Sequence, residues 1–255
     1  MSTINLKDQI VFITGASAGI GEACAQQFAA AGARLVLAAR RLDRLQSLSD
    51  NLDVPCHIGA LDVRDRSAVQ EFVRCIPPEF CAIDILLNNA GLAAGLAPIP
   101  EGDYSHWDRM IDTNVKGLLN LTREVVPGMI KRGRGHVINI GSIAGRQVYP
   151  KGGVYCATKF AVHALTHGLM MDLVSTPVRV STVDPGMVET EFSLVRFDGD
   201  SDKAKVIYQG LQPLKAEDVA EAVLWVASRP AHVNVAEVLI LPTDQASANL
   251  VNRRV

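Results

Sequence analysis

The sequence predicts an α/β fold, a parallel sheet with helices packed on both faces. Three observations carry this. Short β-rich runs alternate with helical stretches along the chain. The β-rich runs are continuously apolar rather than alternating, as in Ile83-Asp84-Ile85-Leu86-Leu87, so the strands are buried on both faces. No repeat, low-complexity stretch or clear linker breaks the pattern, so residues 1–255 read as one domain.

The elements follow in order. Residues 9–14 read as a strand and 20–31 as a helix; 33–39 as the next strand and 42–52 as the next helix. Residues 57–63 and 83–88 are further strands, and a long helix is expected over 105–131. Strand 136–140 leads to a helix over 153–173, strand 178–183 to a helix over 216–228, and 238–241 is the final strand. Residues 191–215 show no clean period and read as a mobile loop; long loops of this kind are often lids, here spanning about 188–215.

Composition narrows the function. A net charge of −2 supplies no basic field for nucleic acid or an anionic membrane. Residues 1–9 are polar without an apolar signal core, and no apolar run reaches the length of a membrane span. Five scattered cysteines (Cys24, Cys56, Cys75, Cys81, Cys156) suggest reduced thiols and a cytoplasmic protein.

The first strand runs into Thr14-Gly15-Ala16-Ser17-Ala18-Gly19-Ile20-Gly21. Glycines between a strand and a helix let the backbone approach a pyrophosphate, with the helix N-terminus facing its charge. Such a turn also serves as a plain tight connection, but its place after the first strand favours a nucleotide, held by Gly15, Ser17, Gly19, Ile20 and Gly21. The second strand ends in Ala38-Ala39-Arg40-Arg41, where an NAD site would carry an acid for the ribose 2′-hydroxyl. Two guanidinium groups suit a 2′-phosphate better, so the expected cofactor is NADP(H). Asp62, with Val63 beside it, follows the third strand and could meet an adenine amino group; Asn88-Asn89-Ala90-Gly91 ends the fourth strand at the same edge.

Tyr155 and Lys159 stand four apart on an expected helix and share a face. A nearby ammonium favours the phenolate and fits the tyrosine to pass a proton to or from a substrate oxygen. Ser142 follows the fifth strand, within reach of the same oxygen. His163 and His167 are also four apart on this helix, but no third ligand is evident, so they read as helix packing and no metal is expected.

Taken together, Thr14-Gly15-x-x-x-Gly19-x-Gly21, Asn88-Asn89-Ala90-Gly91, Asn114, Ser142, Tyr155-x-x-x-Lys159 and Pro185-Gly186 resemble the short-chain dehydrogenase/reductase family over nearly the whole chain. The resemblance implies a doubly wound Rossmann-type fold with seven parallel strands. It also implies roles: Tyr155 as acid/base, Lys159 lowering its pKa and holding the nicotinamide ribose, and Ser142 orienting the carbonyl. Asn114 would support a water linking Lys159 to solvent, and Pro185, Gly186, Val188 and Thr190 would flank the nicotinamide and pyrophosphate. A homotetramer pairing through the helices that start near Ser105 and Gly153 is implied, with the C-terminus reaching a neighbouring subunit.

Residues 191–197 and 230–234 are similar to the branch that oxidises serine and other 3-hydroxy acids, which also holds reductases of malonic semialdehyde and sulfoacetaldehyde. Where that branch carries an aromatic-rich segment before the tyrosine, this chain has Gly145-Arg146-Gln147-Val148-Tyr149, a departure that turns attention from carboxylates. Arg146, Tyr149 and Arg196 are expected to converge on a small anionic aldehyde, with sulfoacetaldehyde the first choice. The alternatives are a 3-hydroxy acid dehydrogenase or malonic semialdehyde reductase, a carbonyl reductase for bulkier apolar substrates, and a non-catalytic NADP-binding protein.

Overall fold

The computed structural model describes residues 6–254; the reading of residues 1–5, and of Val255 in the C-terminal tail, lies outside them. β1 (Ile10–Thr14) lies near the centre of a seven-stranded parallel sheet, with α1 (Gly19–Ala30) leading to β2 (Arg34–Ala39). α2 (Leu42–Asp50), β3 (Cys56–Ala60), α3 (Arg66–Arg74) and β4 (Ile85–Asn88) follow. After α4 (Tyr104–Ile111) and α5 (Leu118–Arg132) come β5 (Gly135–Ile140), α6 (Gly153–Asp172) and β6 (Val178–Pro185). α7 (Phe192–Arg196), α8 (Ser201–Val206), α9 (Ala216–Ala227) and β7 (Glu237–Ile240) complete the described chain. The strand order β3-β2-β1-β4-β5-β6-β7 reverses direction between β1 and β4. Ligands of such sheets bind outside the strand carboxyl ends at that reversal.

The sheet separates two apolar layers. Val11, Ile13, Leu35, Leu37 and Leu87 pack with Phe28 and Val223 on one side. Phe12, Val36 and Leu86 pack with Leu121 and Met129 on the other. Successive residues of β1 and β2 thus enter opposite cores, which is why these strands read as unbroken apolar runs. Burying each such side chain is worth about 1.5–3 kcal/mol, so both faces of the central strands hold the carboxyl edge in place.

Three local differences from the sequence expectations matter. The single helix expected over 105–131 is interrupted by a π-helical turn, Asp112–Gly117, that buries Thr113 and Asn114. Single π turns concentrate at functional sites, and this one turns Asn114 inward. α3 was not expected; its N-terminus is capped by Asp65, whose carboxylate accepts from Ala68 N at 3.0 Å. The stretch read as a loop contains α7 and α8 and is tied down. Arg109 pairs with Asp198 at 3.0 Å, and Ser193 Oγ lies 2.7 Å from the Tyr208 hydroxyl.

Candidate active site

One cleft runs along the carboxyl edge of the sheet. Gly15, Ser17, Gly19, Ile20, Arg40, Arg41, Asp62, Val63, Asn89, Ala90 and Gly91 line it from the β1–β4 side. Ser142, Tyr155, Lys159, Pro185, Gly186, Val188 and Thr190 line it from the β5–β6 side. Gly21 supports the cleft from behind: a Cβ there would stand 2.4 Å from Gly15 O and from Asn89 Nδ2. Gly15 itself takes φ +67°, a left-handed conformation open to glycine at no steric cost.

Hydrogen bonds fix the floor. Thr14 Oγ1 accepts from Asn89 N at 3.1 Å and Ala90 N at 3.0 Å, and Asn89 Nδ2 donates to Thr14 O at 2.8 Å. Asn88 Nδ2 donates to Asn139 Oδ1 at 2.9 Å and ties β4 to β5. The residues fit a dinucleotide. Gly15 and Gly19 bring no side chain to the turn where a pyrophosphate would approach, and the helix behind it starts at Gly19. At Gly91 a Cβ would come within 3.3 Å of Asn114 Oδ1 and 3.7 Å of Lys159 Nζ, so the cleft is kept open beside that lysine.

Two charged features here escaped the sequence reading. Arg64 lines the cleft and binds both carboxylate oxygens of Asp62, at 2.6–3.0 Å, holding that carboxyl below its ordinary range. The oxygens offered to an adenine amino group are thus already engaged. In the run Asp62-Val63-Arg64-Asp65-Arg66 no local signal singles out the first arginine. Glu191, from the segment before α7, accepts from Arg41 at 2.9 Å and Arg44 at 2.7 Å, while Arg41 Nε donates to Ser17 Oγ at 3.3 Å. Nothing local in the sequence relates residues 41 and 191.

On the catalytic side, α6 presents Tyr155 and Lys159 one turn apart, both buried. Burial pushes the Tyr155 phenol well above its ordinary value, and neighbouring Tyr149 adds to this, while Ser142 and Arg196 pull it back. Burial also lowers Lys159, to about 8. Lys159 Nζ donates to Ile140 O at 2.9 Å. The expected lowering of the phenol by the ammonium is therefore not the dominant effect; burial is. Ser142 Oγ accepts from Ala144 N at 3.1 Å at the start of a 3₁₀ turn. Asn114 Nδ2 donates to Leu92 O at 2.8 Å and Thr158 Oγ1 at 3.0 Å, and Oδ1 accepts from Leu92 N at 2.9 Å.

The three expected anion-binding residues divide. Arg196 Nε donates to Gly95 O at 3.1 Å, and its guanidinium carbon stands 5.5 Å from the Tyr149 ring centroid and 5.9 Å from that of Tyr155. Phe192 packs edge-on against Tyr155 at 5.7 Å. Arg146 is a correction. The 3₁₀ turn Ile143–Gly145 carries it away from the cleft, where its Nε donates to Asp184 at 2.8 Å and its Nη2 pairs with Glu237. Asp184 and Glu237 both bind Arg146, and it does not line the cleft, contrary to the expected convergence.

A strand–glycine–helix cradle beside a buried Ser-Tyr-Lys set defines a dinucleotide-dependent oxidoreductase site. A family model described as short chain dehydrogenase matches residues 9–199, and the chain belongs to that family. It is 48% identical over 242 residues to an NADP-dependent 3-hydroxy acid dehydrogenase of Escherichia coli K12, covering 94% of this chain and 98% of that one. It is 47% identical over 248 residues to sulfoacetaldehyde reductase 2 of Chromohalobacter salexigens, covering 96% and 98%. A solved structure of serine dehydrogenase, in its closed form complexed with NADP+, matches with a TM-score of 0.93 at 47% identity, covering 97% of this chain and all of that one. The family, the seven-stranded fold and NADP(H) expected from the sequence agree with these likenesses. Among the described residues no helix is long and apolar enough to cross a membrane.

Proposed function

We propose that the chain is an NADP(H)-dependent oxidoreductase that interconverts a small anionic aldehyde and its alcohol. NADPH, when bound, supplies the hydride. The protein's part is positional and protic. Ser142 hydrogen-bonds the substrate oxygen, and Tyr155 donates its proton to that oxygen as the alcohol forms. A phenol kept protonated by burial suits this acid role at neutral pH. Lys159 sits behind it as the cationic group that holds the ribose and returns a proton to the tyrosine, and Asn114 steadies the backbone at Leu92 beside that route.

The observation that carries the anionic reading is Arg196, poised over the Tyr149 and Tyr155 rings next to the reacting position. With Arg146 committed elsewhere, one guanidinium fork and the Tyr149 hydroxyl remain for the head group. A single planar fork matches a carboxylate better than a tetrahedral sulfonate. Malonic semialdehyde and its 3-hydroxy acid therefore move ahead of sulfoacetaldehyde. The test is kcat/KM with NADPH for malonic semialdehyde, sulfoacetaldehyde and propanal, in the unaltered chain and in Arg196→Ala. Arg196→Ala should cost ~2–4 kcal/mol with the anionic substrates, mostly in KM, and little with propanal. Propanal as the best substrate of the unaltered chain would overturn the anionic reading.

A further inference from the structure

The sequence showed His163 and His167 on one face of α6 without a third ligand, and the fold supplies one. Strand β7, some 70 residues away, brings Glu237 against the same face. His167 Nε2 contacts Glu237 Oε1, and His163 Nε2 lies 3.6 Å from that oxygen. The two imidazole rings stack with centroids 4.6 Å apart. One ligand atom from each of the three residues falls within 4.8 Å of the other two. We propose that His163, His167 and Glu237 form a site for a divalent transition-metal ion, with zinc the best match to the donor set.

The geometry fits such an ion. Ligand bonds near 2.0–2.2 Å place two donors on a shared ion roughly 3.3 Å apart, a spacing these atoms reach with small side-chain adjustments. Two imidazoles and one carboxylate leave a fourth tetrahedral position for water, and all three side chains are partly exposed, so an ion has a way in. His163 Nδ1 is buried without a hydrogen-bond partner, which leaves Nε2 as the nitrogen that faces the site. Arg146 bonds the other Glu237 oxygen and is itself held by Asp184, so the ligating carboxylate has the outer hydrogen bond that orients such ligands.

The site stands one and two turns beyond Lys159 along α6, outside the residues that line the cleft. Its role is a clamp. The ion ties the helix carrying Tyr155 and Lys159 to the edge strand of the sheet, whose four residues are all only partly covered or exposed.

The experiment uses the full chain stripped of metal with a chelator, then titrated with Zn²⁺ against a competing metal indicator. One ion per chain should bind in the micromolar range or tighter and raise the thermal midpoint. His163→Ala and His167→Gln should each weaken that binding at least ~tenfold and remove the thermal shift. Turnover with NADPH, to which neither histidine contributes, checks that both variants are folded. Co²⁺ should bind with visible bands of tetrahedral nitrogen and oxygen ligation and without the intense thiolate band that Cys75 or Cys81, both exposed, would produce. Absence of equimolar binding, unchanged binding in both variants, or a thiolate spectrum would each overturn the proposal.

Discussion

Tyr155 and Lys159 illustrate how far burial governs a single residue. The spacing of four on a helix predicted their shared face, and the structure keeps it. Burial then moves their proton affinities in opposite directions, the phenol up and the ammonium down to about 8. Tyr155→Phe should lower turnover ~10²–10⁴-fold while NADPH still quenches protein fluorescence with near-normal affinity, because only the transferable proton is lost. More than a tenth of the activity remaining would mean that another group is the acid. The lysine sets a pH dependence. Its folded value is depressed, so it carries its charge below about pH 8 and loses it above. An anionic dinucleotide binds the charged form better, so NADPH should bind more weakly as pH rises from 7 to 9. In Lys159→Met that dependence should flatten, a comparison made by fluorescence titration at each pH. Residue-level legibility had a clear limit. Arg146 was misplaced because its partner Glu237 lies 91 residues away and the 3₁₀ turn that redirects it leaves no periodic trace. Where both partners lie within one helical turn, as with Tyr155 and Lys159, the sequence suffices.

Elements were legible in proportion to their burial. Strands β1, β2 and β5 are apolar because two cores meet across them, and they were recognised nearly to their ends. α3 has only Val69 fully buried, and its mixed composition hid it. The π turn left no sign within the apolar pattern of the long helix, though it is what buries Asn114. The stretch before and through α7 and α8 was misread as structureless because its order comes from distant contacts, above all Glu191 with Arg41 and Arg44. That contact has a consequence for the cofactor. A 2′-phosphate and the Glu191 carboxylate compete for the same Arg41. Glu191→Gln should therefore tighten NADPH up to about fivefold, the worth of a largely exposed ion pair, and leave NADH unchanged. Arg40→Asp should act the other way, eroding or inverting the preference for NADPH, since one charge-assisted bond is worth ~1.5–3 kcal/mol. Steady-state kcat/KM with both cofactors for the two variants reads both effects. Equal use of NADPH and NADH by the unaltered chain would remove their common basis.

At the scale of the whole molecule, the surface left by folding is the informative part. On α5, Leu118, Leu121, Val125 and Val126 are buried within this chain, and Leu119 is not. Leu119 and Ile130 on α5 remain exposed, as do Phe160 and Met171 on α6, where Met171 keeps 72% of its surface. A second exposed apolar set lies elsewhere, with Trp225 on α9 and Leu239 on edge strand β7. Large apolar side chains left exposed are the ones that a subunit interface would cover. Two distinct self-complementary surfaces on one chain generate a closed tetramer of two-fold symmetry, whereas one alone stops at a dimer. The expected state is thus a homotetramer that uses α5 and α6 in one interface and α9 with β7 in the other. Light scattering at micromolar concentration should return four times the 27.4 kDa chain mass. Phe160→Glu should disable the first surface and Trp225→Glu the second, and each variant should run as a dimer, because a charge buried at an interface core without a partner is costly. Combining the two substitutions should give a monomer. A monomeric unaltered chain would refute the arrangement, and a tetramer indifferent to both substitutions would refute the choice of surfaces.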